Sequence, residues 1–381
     1  LGFGADYFQP ELHSFSRDQN SFDTFNIPEN STLRLVGIMA QFPIEAPDNP
    51  KTSGNGQFLS NTSESYINFF ESEIPRCDGF IVDRPPHNAP YFQAQLEAVG
   101  NYYNNVSNNK LSYTTEIIIN PNSDENGYYT VSHDMEYYAK GDTLLARFYS
   151  EVLYLAKTDI EDYFDGKGFS PNEVVFIVFH AGLSQDFSYP SLDPTIYDLR
   201  SAYIDTIMME DINPTQILQN GNSYDIKTGV LLPETQNMIY FDVVEDIFGN
   251  PDYDTDDLCD IQVGMTGIFA MLLGYELGLP PMFNTETGNP GVGYFGLMDH
   301  GSNNGRGVIP APPNPWTRTF PDVSWLELDI INPVYGVINT IHIPALVIGD
   351  TVYQINIAED EYFLIENRNN WVSPLVDIDS L

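Results

Sequence analysis

Positive charge is what this chain has least of. Its 381 residues carry 15 lysines and arginines against 54 aspartates and glutamates, a formal net charge of −39. A surface of that sign repels phosphate backbones and anionic headgroups, so neither nucleic acid nor a membrane surface is an expected partner. With so few cations, many carboxylates lack an ion-pair partner, which suits a medium where salt screens them or calcium binds them. Long apolar runs are also missing. Val174–Phe179 is among the longest and falls far short of the roughly 20 residues a spanning helix needs, so membrane insertion is not expected. No P-loop, dinucleotide fingerprint, serine-nucleophile elbow or internal repeat is present. Cysteine is nearly absent too, with only Cys77 and Cys259. In an exported protein these form one bridge, which by loop entropy would stabilise by about 5 kcal/mol, or stay two separate buried thiols; both readings remain open. No basic-then-apolar leader precedes Leu1, as expected of a mature exported chain or of a fragment.

What the chain does have is apolar and aromatic. Hydrophobic residues make up 42% of it and aromatics 13%, which excludes disorder and allows a large core in two or three domains. Thr32–Phe42 reads as a strand stopped by Pro43, and Leu111–Ile119 as a second. Glu173–His180 is an unbroken apolar run, typical of a strand covered on both faces. Helical spacing occurs over Ser63–Ile74, Tyr91–Asn105 and Gly141–Phe164, the last through Leu145, Phe148, Val152, Leu155 and Ile160. Residues 1–30 have no period and read as an extended arm. From about Leu326 the texture changes to short alternating runs, Val337–Val347, Thr351–Ile357 and Tyr362–Glu366, a small β-rich module over residues 326–381.

Two acidic segments are candidate cation sites. Asp252, Asp254 and Asp256 fall at positions one, three and five of a calcium loop, but Asp257 replaces the glycine at six and Val263 the glutamate at twelve. This is not an EF-hand. It reads as a looser calcium site of Asp252, Asp254, Asp256 and Asp257, or as a solvated acidic turn. Asp186, Asp193, Asp198 and Asp205 are spread more widely and carry less signal. Sequons at Asn30, Asn61 and Asn105 are compatible with export in a eukaryote, though such triplets are common by chance.

The rest is organised around Gly264–Trp316. Ile268, Phe269, Met271, Leu272, Leu273, Tyr275 and Leu277 leave almost no polar face, so Gly264–Leu277 reads as a helix buried all round. Gly278 stands where a left-handed residue would end it, and Pro280–Pro281 forbid continuation. A glycine-rich loop follows, with Met298 in Phe295-Gly296-Leu297-Met298-Asp299-His300. The stretch resembles the immune-inhibitor-A family of secreted zinc metallopeptidases, in which a helix of the form F-A-H-E-F-G-H-x-L-G-L-P precedes G-x-G-x-x-x-L-M-D-x-G-S and a later P-x-x-W. The matching positions are Phe269-Ala270, Gly274, Leu277-Gly278-Leu279-Pro280, Gly291, Gly293, Leu297-Met298-Asp299, Gly301-Ser302 and Trp316. Asn101-Tyr102-Tyr103, Val106-Ser107, Lys110-Leu111 and the run Glu361–Arg368 resemble other parts of that family.

The resemblance implies a zincin-like α+β domain over residues 31–325, a mixed sheet with flanking helices and a methionine turn at Met298. It also implies where the chemistry should be. The first histidine falls on Met271, the glutamate on Leu272, the second histidine on Tyr275 and a frequent acidic position on Pro281. Histidines four apart on a helix can share a tetrahedral zinc ion, with the intervening glutamate as general base. Methionine, leucine and tyrosine cannot play those parts, so no zinc is expected. Glu276, four residues beyond Leu272, and the histidines His180 and His300 are the remaining polar candidates, and a base without its metal activates nothing. The expectation is an exported, catalytically inactive protein, extracellular or on a cell surface, acting as a structural or binding component through a protein partner or self-association. The alternatives are an active secreted zinc metallopeptidase and a calcium-dependent adhesin.

Overall fold

The computed structural model describes residues 32–62, 82–123, 126–167, 173–187, 192–219, 221–241, 244–245, 251–252, 258–285, 287–320, 325–326, 328–334, 336, 340, 342–345, 351–358 and 361–368, and between 241 and 260 the backbone alone. The arm at residues 1–30 and the helix expected at Ser63–Ile74 lie outside the described residues. In chain order the first strands are β1 (Thr32–Gln41), β2 (Ser112–Ile118), β3 (Tyr129–Thr130), β4 (Val174–His180) and β5 (Ala202–Ile204). Next come β6 (Thr215–Gln219), β7 (Asn222–Ile226), β8 (Gly229–Pro233), β9 (Met238–Phe241), β10 (Val244–Glu245), β11 (Pro251–Asp252) and β12 (Leu258–Ile261). The last are β13 (Asp329–Ile331), β14 (Thr351–Asn356) and β15 (Tyr362–Ile365). The helices are α1 (Ala89–Val106), α2 (Met135–Tyr138), α3 (Asp142–Phe164), α4 (Thr266–Glu276) and α5 (Pro315–Arg318).

The architecture is mixed α+β. The main sheet runs β2-β1-β4-β8-β5, with β3 beside the end of β1. Strands β2, β3 and β4 are all parallel to β1, and β8 is parallel to β4; only the short edge strand β5 runs antiparallel. Every residue of β4 is buried, as its unbroken apolar run requires. Its alternate side chains go to opposite faces. Phe179 meets Phe92 of α1 (ring centroids 4.6 Å apart) and Phe269 of α4 (6.1 Å). His180 lies edge-on to Phe148 of α3 at 6.3 Å. The sheet is therefore a layer between α1 and α4 on one side and α3 on the other. Trp325 and Leu326 are buried in the same core.

The local signals explain most element ends. Helix α1 begins earlier than Tyr91 because Asn88 is its N-cap, accepting from the Tyr91 N–H, and Pro90 fits the first turn. Near the C-terminus β14 is flanked by β13 (parallel) and β15 (antiparallel). The strand expected over Val337–Val347 is not found at the described residues His342–Ala345, which make only an isolated bridge between Ala345 and Asn367. Pro344 has no N–H to give a ladder, and the third strand comes from Asp329–Ile331 instead. No helix among the described residues is long and apolar enough to cross a membrane.

Helix α1 seats on β2 through Gly100. A Cβ there would stand 2.5 to 2.7 Å from ring atoms of Tyr113. Alanine favours a helix by about 1 kcal/mol, but overpacking against a rigid ring costs about 1–3 kcal/mol. Gly100→Ala is accordingly expected to lower the urea midpoint of unfolding, and a rise would show that α1 does not sit this close to β2.

Candidate functional site

Helix α4 is held at both ends by backbone. At its start the Gly264 N–H donates to the Arg306 carbonyl (2.8 Å) and the Gly267 N–H to that of Gly307 (2.7 Å). The second bond satisfies a donor that a helix N-terminus leaves open, where Met265 supplies no side-chain cap. At its end Gly278 is left-handed, with φ of 87°. Its N–H donates to Tyr275 (3.1 Å) and the Leu279 N–H to Gly274 (2.8 Å), the paired bonds of a Schellman motif. This is the stop that Gly278 and the two prolines announced.

Met298 lies under the helix. A Cβ on Gly274 would come within 2.7 Å of its sulfur, so glycine is what lets helix and turn approach. The Tyr103 hydroxyl, from α1, reaches the Ala270 carbonyl at 2.6 Å. Beside Met298, Asp299 is almost fully buried, at 1% exposure. Its Oδ2 accepts the N–H groups of Gly291 (2.9 Å), Val292 (2.7 Å) and Gly293 (2.8 Å), and its Oδ1 that of His300 (2.7 Å). Four backbone donors around one carboxylate make an anion nest filled by the chain itself. Asp299 thus shapes the loop, a role its place beside a methionine does not disclose.

The positions where the resemblance puts two zinc ligands and the general base are sealed. Met271, Leu272 and Tyr275 are only 2%, 1% and 4% exposed and belong to the main apolar core. Tyr275 lies beside Tyr203 of the edge strand β5, ring centroids 6.1 Å apart. Pro281 is half-buried. These residues do not fit a zinc ion, because their side chains supply at most a thioether and a phenol. The three other polar candidates do not meet. Glu276 accepts from the Thr228 hydroxyl (2.9 Å), beside β8. His180 is on the opposite face of the sheet, where Nδ1 donates to the Ala181 carbonyl and burial pushes its pKa down to about 4. His300 opens a short turn whose Ser302 carbonyl abuts Gly267, about two helical turns from Tyr275. Among the described residues no three His, Cys, Asp or Glu side chains gather as a metal ion would require.

The acidic segments separate likewise. Of the calcium candidates, Asp252 has its backbone in β11 opposite Val244, while Asp254, Asp256 and Asp257 lie outside the described residues. Cys259 pairs by backbone with Tyr240, and Cys77 is outside the described residues. The more widely spread acids each accept from backbone: Asp186 from Ser201 N–H, Asp193 from Thr195 N–H, and Asp205 from Ile207 and Met208 N–H. Asp198 accepts from the N–H (2.6 Å) and hydroxyl (3.0 Å) of Ser53. Burial pushes its carboxyl up from 3.8 to about 8.

No protein-family model matches the sequence, and no curated protein matches it.

Two outcomes follow from these geometries. Asp299→Ala removes the acceptor of one buried and three part-buried N–H groups, so a loss of about 1–3 kcal/mol is expected in denaturant unfolding, with Asp299→Asn intermediate. For Asp198 the folded pKa lies above the unfolded value, so its contribution to stability is fully present in acid and declines as pH rises from about 4 to about 8. Asp198→Asn, which resembles the protonated acid, should remove that part of the pH dependence of Tm. An unchanged profile would mean Asp198 is ionised in the fold.

Proposed function

We propose that this protein is an exported, zincin-like pseudopeptidase, a structural or binding component of an extracellular or cell-surface assembly. One observation carries the reading. Around α4 the Schellman stop, the Met298 contact and the Asp299 nest support the reading, while Met271, Leu272 and Tyr275 stand as packed core where the resemblance puts two ligands and the general base. Burying histidine and glutamate without an ion is costly, so apolar replacements are what a helix freed from catalysis favours. A scaffold that keeps its shape without its chemistry has its surface left to work with.

The surface supports a partner role. Tyr294 and Phe295 are 43% and 67% exposed on the loop leading to Met298, and Val308, Ile309 and Trp316 are 41%, 55% and 40% exposed on the segment beyond it. The two stretches are joined by the Asn304 side-chain N–H to the Tyr294 carbonyl (3.1 Å). Exposed aromatics of this kind are enriched where proteins meet. The net charge of −39 favours a basic partner, and works against close self-association at low salt.

Purified protein distinguishes the classes. Metal content is measured after dialysis, and cleavage of a quenched fluorescent peptide library is followed with and without a zinc chelator. The expected result is substoichiometric zinc and no chelator-sensitive cleavage. Stoichiometric zinc whose removal abolishes cleavage sinks the pseudopeptidase, and a Tm that falls only on removing calcium favours the adhesin.

A further inference from the structure

The segment before α1 holds a buried ionic contact that lies apart from α4's ligand positions. His87 and Glu234 are 1% and 0% exposed. His87 Nδ1 is 2.6 Å from Glu234 Oε1, and Nε2 is 2.9 Å from the backbone oxygen of Asp83. A carbonyl oxygen only accepts, so Nε2 carries a proton. Glu234 is also acting as an acceptor: Oε1 takes the Leu59 N–H (2.7 Å) and Oε2 the Gly182 N–H (3.0 Å). With the shared proton on Nδ1 the contact is an imidazolium against a carboxylate, the charge-assisted form that suits so short a distance.

That ring ties together segments far apart in sequence. Glu234 directly follows β8, and Gly182 lies just past β4, so the contact sits at the C-terminal end of the parallel strands. The His87 N–H donates to the Leu59 carbonyl (2.8 Å), and the Tyr128 hydroxyl to the His87 carbonyl (3.0 Å). The Tyr91 hydroxyl donates to the Glu234 carbonyl (3.0 Å), and its ring lies 4.5 Å from the imidazole. Asp83 in turn accepts from the Gln95 side chain of α1 (3.0 Å). With both ring nitrogens engaged, His87 has none to offer as a general base, so its work is mechanical.

We propose that His87 is a pH-sensitive latch: its Nδ1–H holds the 83–88 loop to Glu234 at the end of β8, its Nε2–H closes that loop on the Asp83 carbonyl, and loss of a ring proton breaks one of these bonds and loosens the loop. A neutral ring keeps one N–H, so it must give up either Glu234 or the Asp83 carbonyl. The groups facing the ring are the Glu234 carboxylate, the Asp83 carboxyl and the Tyr91 phenol, with the Tyr128 phenol on the His87 backbone carbonyl. Burial, the largest single influence, works against the charged ring, but Glu234 and then Asp83 outweigh it, and the net direction is upward from 6.5. A base with a raised folded pKa gives stability that is fully present below its ordinary value and is lost as pH rises through the folded one. Asp83 acts in the same sense, since burial pushes its carboxyl up from 3.8 to about 6. The loop is therefore closed in acid and loosens as pH rises through the raised folded pKa of His87.

Two measurements test this. Ring-nitrogen NMR of histidine-labelled wild-type protein should find the His87 imidazole doubly protonated in acid and still so where an ordinary histidine is half titrated; a ring already neutral there overturns the proposal. Hydrogen exchange over residues 57–60 and 83–88, corrected for intrinsic rates, should lose protection about tenfold per pH unit once the ring titrates. In His87→Gln that extra loss should be absent, and equal slopes in the two proteins also overturn it. The NMR arm needs no variant, so a misfolded His87→Gln leaves the latch testable.

Discussion

The close approach of α4 to the methionine turn is the constraint on which this architecture depends. Gly274 leaves room for the Met298 sulfur, and Gly267 lets the Ser302 carbonyl lie where a Cβ would stand. Neither contact tolerates a side chain on the helix, so α4 is a rod clasped by its own following loop. The loop is in turn held by Asp299, whose carboxylate gathers N–H groups from Gly291 to Gly293. Packing and polar bonding here are one unit: the apolar helix fixes the turn, and the buried carboxylate keeps the loop from relaxing away.

That unit does not depend on the side chains at 271, 272 and 275. Ligand side chains on a helix contribute little to the clasp, because the clasp is built from glycines, one methionine and backbone bonds. Met271, Leu272 and Tyr275 can therefore enter the core without disturbing it, and their burial adds apolar contact. Of the other polar candidates, Glu276 accepts from Thr228 and His180 lies on the far face of the sheet.

Much of this was legible in the chain. The periodicity of α1 and α3 and the apolar run of β4 are strong because both depend on long patterns of buried residues. The stop at Gly278 was legible because a left-handed glycine followed by two prolines has few other meanings. Short elements were not. Strand β5 has three residues, and β8 reads GVLLP, too brief to carry a period. Strand β13 was hidden beside the more apolar stretch around Val337, where Pro344 defeats the pattern. Within the site, the apolar fillings at 271, 272 and 275 were plain, but the work of Asp299 was not, since its partners are backbone N–H groups. His87 read only as part of a proline-rich break. Its partner Glu234 stands 147 residues away, a pairing that only the fold supplies.

The order of the main sheet has a consequence for how the chain reaches its native form. Strand β1 pairs with β2, β3 and β4, so Leu35 must find Thr115 on one side and Val175 on the other before the centre exists. Strand β8 joins later still in sequence. Such non-local pairing makes for slow folding, during which apolar segments such as Val174–Phe179 remain open to other chains. The excess of carboxylates then acquires a kinetic meaning: like charge keeps incomplete molecules apart while the sheet is assembled.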